Sequence, residues 1–183
     1  VIEGHEFKAE QVLSPELAYM GQFMLEQVIN HGTGAGARTM GFTRPAAGKT
    51  GTTNDAKDAW FAGFTPNLLT VVWTGFDQKE ILGRTGAEAS LPAWTAYMKA
   101  ATASRPPLDF VMPSGLVQET VDPTTGYKAT PFCPVRTVGV FPQEAAPSQP
   151  CPFHAGPLQA SAGGGAVSPT AEPEVDDSAE PND

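Results

Sequence analysis

Residues 47–64 read Ala47-Gly48-Lys49-Thr50-Gly51-Thr52-Thr53-Asn54-Asp55-Ala56-Lys57-Asp58-Ala59-Trp60-Phe61-Ala62-Gly63-Phe64. A lysine, small hydroxyls and glycines lie side by side, and an aromatic, apolar run follows at once. From Ala46 the pattern predicts three consecutive strands, Ala47–Thr53, Asp58–Thr65 and Leu68–Phe76. Their links, Asn54–Lys57 and Thr65-Pro66-Asn67, are too short for a parallel crossover, which needs a dozen or more residues, so the strands are antiparallel neighbours. Trp60, Phe61, Phe64, Val71, Val72 and Trp73 are the aromatic and β-branched residues that a packed sheet prefers.

Outward from this stretch, Ser14-Pro15-Glu16 opens a helix, with serine as N-cap, proline at the first helical position and an acid in the first turn. Leu17, Tyr19/Met20, Phe23/Met24 and Gln27/Val28 recur at helical spacing and predict one buried face. Asn30-His31-Gly32 stops the helix, Gly32–Ala37 reads as a flexible loop, and Arg44-Pro45 leads into the first strand in extended conformation. Gly83–Ala89 reads as a second loop. Leu91-Pro92 then begins a helix running to about Thr102, with Trp94, Tyr97/Met98 and Ala101 on one face. Arg105-Pro106-Pro107 ends it. Residues 108–141 read as an extended segment with a turn at Asp122-Pro123-Thr124-Thr125-Gly126. Beyond Pro142, Pro, Ala, Gly, Ser and acids predict a disordered tail, apart from a staple at Cys151. The expected fold class is α+β, an antiparallel sheet flanked by helices. The expected division is 1–105, a Cys-containing extension 106–155, and a tail 156–183. Three strands with one or two helices would leave a sheet face and an edge uncovered.

All 11 Lys and Arg lie at or before Arg136, whereas seven of the 20 acids lie beyond it, so the net charge of −9 is mostly the tail. The near-neutral body carries no clustered basic face, which argues against a nucleic-acid partner. The apolar runs, Leu68–Leu69 and Val71–Trp73 among them, fall far short of the roughly 20 residues of a membrane helix. The chain opens at Val1 with neither a charged leader nor an apolar h-region, and so reads as a processed product or an excised piece. Cys133 and Cys151 lie in a Pro-rich stretch with His154 nearby. That spacing lacks the paired C-x-x-C of a zinc ribbon, so a metal is a weak reading and no metal or other cofactor is expected. In the cytosol two free thiols are the expectation. Outside it, a Cys133–Cys151 disulfide would staple a segment too poor in core residues to order itself.

Gly48-Lys49-Thr50 first invites comparison with a P-loop, but position 43 is Thr43 where that motif requires glycine, and strands follow where it needs a helix. Gly32-x-Gly34-x-x-Ala37 matches the dinucleotide fingerprint in letters only, because it follows a helix. Lys49-Thr50-Gly51-Thr52 remains. On a strand, Lys49 and Gly51 face one way and Thr50 and Thr52 the other. At an edge bordering a cleft, the threonine hydroxyls suit a carboxylate, Lys49 supplies positive potential, Gly51 admits a substrate backbone, and the Thr52 amide suits an oxyanion. The bland reading is a bare Lys-Thr edge with no ligand, or a module that binds a partner there without catalysis.

The wider sequence weighs against the bland reading. Ala47–Asp55, Asp58-Ala59-Trp60-Phe61-Ala62-Gly63-Phe64-Thr65-Pro66 and Val72-Trp73-Thr74-Gly75-Phe76-Asp77, in this order, resemble the transpeptidase domain of class A bifunctional penicillin-binding proteins of the 1A type. Gly32-Thr33-Gly34, Leu82-Gly83 and Pro92-Ala93-Trp94 support the likeness, which runs from about Val12 to Ala103. Cys133-Pro134 and Cys151-Pro152-Phe153-His154 resemble the C-terminal extension of some members. Lys-Thr-Gly alone is shared with serine β-lactamases. The resemblance implies acyl transfer between peptidoglycan stem peptides on the outer face of the cell membrane, in the periplasm where there is one, with β-lactams acylating the same serine. It implies that 1–105 is the C-terminal part of a transpeptidase domain. It also implies that Lys49 and Thr52 serve catalysis, that Thr50, Gly51 and Thr52 bind substrate, and that the Thr52 amide is half of the oxyanion hole. The family's nucleophile motif Ser-x-x-Lys and its partner Ser-x-Asn do not occur in these 183 residues. The implied partner is therefore an N-terminal part of the same enzyme, which would bring the nucleophile, the glycosyltransferase domain and the membrane anchor. Alone, the chain is expected not to acylate.

Overall fold

A computed structural model describes residues 10–78 and 80–156. Residues 143–155, expected to belong to the tail apart from Cys151, instead carry two 3-10 turns and a bridge from Pro150 to Lys128. Except for Gly156, the predicted tail of 156–183 lies outside the described residues. Among the described residues, ten elements occur in chain order. α1 (Pro15–Asn30) and α2 (Gly36–Thr39) precede β1 (Ala47–Thr52), β2 (Ala59–Thr65) and β3 (Leu68–Thr74). α3 (Gly86–Thr102), β4 (Leu116–Val121) and β5 (Thr137–Pro142) follow, with 3-10 turns at Gln143–Ala145 and Pro152–His154.

The first three strands form an antiparallel sheet in the order β1-β2-β3. Register pairs Lys49 with Ala62, Phe61 with Val72 and Trp60 with Trp73. β1 ends one residue earlier than its composition suggests, because the Thr53 hydroxyl accepts the Lys57 and Asp58 amides (3.1 and 3.0 Å) and turns the chain. Ala59, Phe61, Gly63 and Thr65 alternate inward and are buried, as a half-covered strand requires.

That inner face carries the core. Trp94 of α3 stands edge-on to Phe42 and Phe61 at centroid distances of 5.3 and 4.9 Å, surrounded by Ile29, Ala37, Ala46, Leu91 and Met98. The opposite face exposes Trp60, Leu69, Val71 and Trp73, while Phe64 at one end of it packs edge-on against Phe110. Trp73 fixes its indole there by donating to Asp58 Oδ1 at 2.9 Å.

α1 begins where its capping signals place it, the Ser14 hydroxyl accepting the Leu17 amide. Its predicted apolar face is only partly used. Leu17 and Met24 are exposed, Tyr19, Met20, Phe23 and Val28 are half-buried, and Ile29 is the one fully buried residue. The predicted loop at Gly32–Ala37 is corrected in its second half. Gly36–Thr39 make one helical turn, which buries Ala37, and Gly36 sits so close to Leu91 that a Cβ would lie 3.3 Å from its Cδ2. One turn is too short to leave a period in the sequence. Arg38 then ties the loop to α1, donating to Asn30 Oδ1 and to the carbonyls of Phe42 and Arg44.

α3 begins five residues before the predicted Leu91-Pro92 start. Thr85 caps it through a capping box, its amide and hydroxyl both donating to the Glu88 carboxylate (2.8 and 3.0 Å). Those bonds hold the Glu88 carboxyl below its ordinary range, its hydrogen bond from the Thr85 amide being the main cause. Pro92 therefore sits inside the helix. β4 and β5 form a separate antiparallel pair. The predicted turn at Asp122–Gly126 is present, closed by Gly126 N–H to Asp122 O at 2.8 Å, with Gly126 at φ 76° where a side chain would be strained.

Candidate functional site

Lys49, Thr50, Gly51 and Thr52 lie together on β1, one of the two outer strands of the sheet among the described residues. The P-loop reading falls here, since Lys49 stands in mid-strand and another strand follows, with no helix N-terminus to receive phosphate. Thr53 donates its amide to Asp58 O at 3.1 Å. Antiparallel pairing alternates along a strand, so Gly51 and Lys49 also point their amides at β2. Thr50 and Thr52 then direct N–H and C=O away from the sheet, on a side where no strand pairs among the described residues. Lys49 Nζ reaches the outward carbonyl of Thr50 at 2.7 Å.

Side chains alternate as the sequence predicts. Thr50 and Thr52 share the α3 face with Phe61 and Ala59, opposite Lys49 and Gly51. The Thr50 hydroxyl lies 2.8 Å from that of Thr33 in the loop after α1. The Thr52 hydroxyl accepts the Gly86 amide at 3.1 Å, which leaves its proton free to donate. α3 thus reaches this strand through its first residue. A Cβ on Gly86 would stand 2.3 Å from Trp60 O and 2.7 Å from Gly51 O, so only glycine brings the helix this close. A cleft of about 430 Å³ lies elsewhere, between α1 and the start of β1, lined by Tyr19, Glu26, Arg38 and Asp109 among others. Burial pushes the Glu26 carboxyl up, against the opposing effects of the Gln22 amide and Arg38.

A second constellation, which the sequence reading resolved only in part, lies beside the β4–β5 pair. Cys133 and Cys151 are buried as two free thiols. They converge with Asp122 and His154, one ligating atom of each lying within 4.8 Å of the others. Asp122 is fully buried at the end of β4, and its Oδ1 accepts the Thr124 amide and hydroxyl at 2.9 and 2.6 Å. Its Oδ2 faces His154 Nδ1 at 2.9 Å and Cys151 Sγ at 3.7 Å. Cys151 Sγ lies 3.4 Å from the same ring nitrogen. The Thr124 hydroxyl, foremost, holds the Asp122 carboxyl down at about 2 against its burial. Cys151 is pushed up by burial, yet hydrogen bonds from Thr125, Phe153 and His154 bring it below its ordinary value. His154 is raised, chiefly by its hydrogen bond with Cys151 and then by Asp122. In the sequence Asp122 signals only a turn. Cys151-Pro152-Phe153-His154, a C-x-x-H spacing, was the available signal, but Asp122 reaches the cluster only through the strand pairing.

The chain is similar to known proteins along most of its described length. Residues 112–156 match the family described as penicillin-binding protein 1A, C-terminal domain. Penicillin-binding protein 1A of Pseudomonas aeruginosa is 42% identical over 141 residues, covering 76% of this chain and 17% of that protein. The Aquifex aeolicus protein of the same name is 38% identical over 125 residues, 67% of this chain and 17% of that one. The crystal structure of penicillin-binding protein 1A from Haemophilus influenzae superposes with a TM-score of 0.68 at 32% identity, over 78% of this chain and 22% of that chain. The chain thus spans under a fifth of the length of these two sequence relatives. Matched domain, relatives and shared fold together place it among the class A penicillin-binding proteins, as sequence from the C-terminal part of the 1A type.

Proposed function

We propose that this chain supplies the Lys-Thr-Gly wall of a peptidoglycan DD-transpeptidase site on the outer face of the cell membrane. One observation carries the reading: β1 is an outer strand on which Thr50 and Thr52 turn their backbone groups away from the sheet. A peptide ending in D-Ala-D-Ala, or the β-lactam that mimics it, would lie along that edge. Lys49 would supply positive potential, the Thr50 and Thr52 hydroxyls would hold the terminal carboxylate, and Gly51 would let the substrate backbone approach. The Thr52 amide would meet the developing oxyanion, a kind of donor whose loss elsewhere costs about 3–4 kcal/mol.

The nucleophile would come from an N-terminal part of the same enzyme, since no serine of these 183 residues stands in Ser-x-x-Lys or Ser-x-Asn. The exposed Trp60–Trp73 face and the edge of β3, which pairs with no further strand among the described residues, suit contact with that part. We place the transpeptidase wall in 1–105 and a distinct extension in 106–155.

Fluorescent penicillin tests this directly. The chain alone is expected to take no covalent label, and labelling of any of its own serines would sink the proposal. Paired with the N-terminal part, it is expected to restore acylation, and Lys49→Ala should slow that reaction by about 10–100-fold. Restored acylation indifferent to Lys49→Ala would remove the role given to the lysine. Failure to restore it, together with measurable muropeptide binding, would favour a non-catalytic module.

A further inference from the structure

We propose that Asp122, Cys133, Cys151 and His154 form a structural Zn²⁺ site that clamps the β4–β5 module. The ligand atoms are Asp122 Oδ2, Cys133 Sγ, Cys151 Sγ and His154 Nδ1, mutually within 4.8 Å. A tetrahedron with Zn–S of about 2.3 Å and Zn–N or Zn–O of about 2.0–2.1 Å has edges of roughly 3.3–3.8 Å. Two measured edges match it, Cys151 Sγ–His154 Nδ1 at 3.4 Å and Cys151 Sγ–Asp122 Oδ2 at 3.7 Å. The third, His154 Nδ1–Asp122 Oδ2 at 2.9 Å, must open by about 0.4 Å to admit the ion. Two sulfurs, an imidazole and a carboxylate oxygen are a donor set suited to zinc rather than to calcium or magnesium, which take oxygen ligands.

Surrounding groups orient these ligands. Thr124 occupies Oδ1 of Asp122 with two hydrogen bonds and leaves Oδ2 for the ion. The Thr130 amide donates to Cys133 Sγ at 3.3 Å, as N–H groups do to metal-bound thiolates. Thr130 also holds the ligand segments together, its hydroxyl donating to the His154 carbonyl. On binding, each thiol would release its proton to solvent, and His154 would ligate as neutral imidazole with its proton on Nε2.

A catalytic Cys-His-Asp relay does not fit the same atoms. Such a relay uses both ring nitrogens, one toward the nucleophile and one toward the acid. Here Cys151 and Asp122 both face Nδ1, and Cys151 is 1% exposed, which denies a substrate access. Convergence on one point between four protein groups is the geometry of a closed, structural metal site.

The module also needs such a clamp. Apart from the two cysteines, its buried apolar side chains are Leu116, Val121 and Val140. A small unit with so little core depends on a metal or a disulfide. The ion would join the turn after β4, the loop at Thr130–Cys133 and the Cys151–His154 turn, three segments otherwise joined by isolated hydrogen bonds, bridges and the Tyr127–Phe153 ring contact.

The test is made on the 183-residue chain purified without chelator from zinc-supplemented medium. Elemental analysis is expected to find about one zinc per chain, lost in Cys151→Ser and in Cys133→Ser. Because either variant could fail by misfolding, Co²⁺ is also bound to the unaltered chain. Intense d–d bands in the red with a thiolate charge-transfer band in the near ultraviolet are expected for a tetrahedral, sulfur-containing site. Thr124→Val, which keeps all four ligands, should weaken zinc by roughly 10-fold in competition with a chromogenic chelator. A chain that stays zinc-free with both thiols reduced would overturn the proposal. So would a Cys133–Cys151 disulfide that forms in the presence of zinc and excludes it.

Discussion

Trp94→Ala is expected to destabilise the chain by about 3–5 kcal/mol, the range for truncating a large aromatic in a core. Trp94 is fully buried and touches both halves of the hydrophobic core, Phe42 from the loop before β1 and Phe61 from the sheet. Its indole N–H donates to Gly63 O at 3.2 Å. Gly63 is itself shaped to the ring, since a Cβ there would stand 2.7 Å from Trp94 Cζ2. Truncation therefore removes transfer energy, two edge-to-face contacts and a hydrogen bond, and leaves a cavity that rigid sheet backbone cannot close. Total stability of a domain is about 5–15 kcal/mol, so the loss is a large share of it. Urea unfolding followed by circular dichroism measures it. Trp94→Phe, which keeps the ring contact and loses the donor, should recover more than half of the loss. A midpoint for Trp94→Ala close to that of the unaltered chain would mean that this core is not what holds the helix to the sheet.

Gly86→Ala is expected to cost about 3 kcal/mol or more, the upper range of overpacking. Atoms that would meet the new methyl are the Trp60 and Gly51 carbonyl oxygens, at 2.3 and 2.7 Å, and they belong to paired residues of β1 and β2. Backbone of that kind cannot swing aside, so the first turn of α3 must lift and the Gly86–Thr52 hydrogen bond must break. Gly21→Ala provides the opposite sign. Gly21 lies within α1 with nothing within 4 Å of an added Cβ, and alanine should stabilise the helix there by about 0.5–1 kcal/mol. Equal effects at the two glycines would show that close approach, rather than helix propensity, has been misjudged at Gly86.

Much of this molecule was legible before its structure. Alternation from Ala47 to Thr74, with links of a few residues, left little but an antiparallel three-stranded sheet, and Ser14-Pro15 announced α1 within a residue. The start of α3 differs from expectation because Pro92, which suits a first turn, lies inside the helix. The Thr85–Glu88 capping box, a stronger signal, lay in a stretch read as loop. α2 escaped notice because its four residues owe their helical turn to packing of Ala37, not to periodicity.

At the candidate sites the division is sharper. Sequence alone determined that Lys49, Thr50, Gly51 and Thr52 share a strand and that lysine and threonines face opposite ways, because a strand's side-chain period is 2 whatever surrounds it. Only the tertiary structure decided which backbone groups of that strand are left outward, since that depends on which neighbour pairs with it and in what register. Only it could bring Asp122, from the end of β4, to two cysteines and a histidine up to 32 residues away. A cluster of four ligands from three loops has no period and no fixed spacing. It exists because strand pairing and turn geometry fold those loops onto one point.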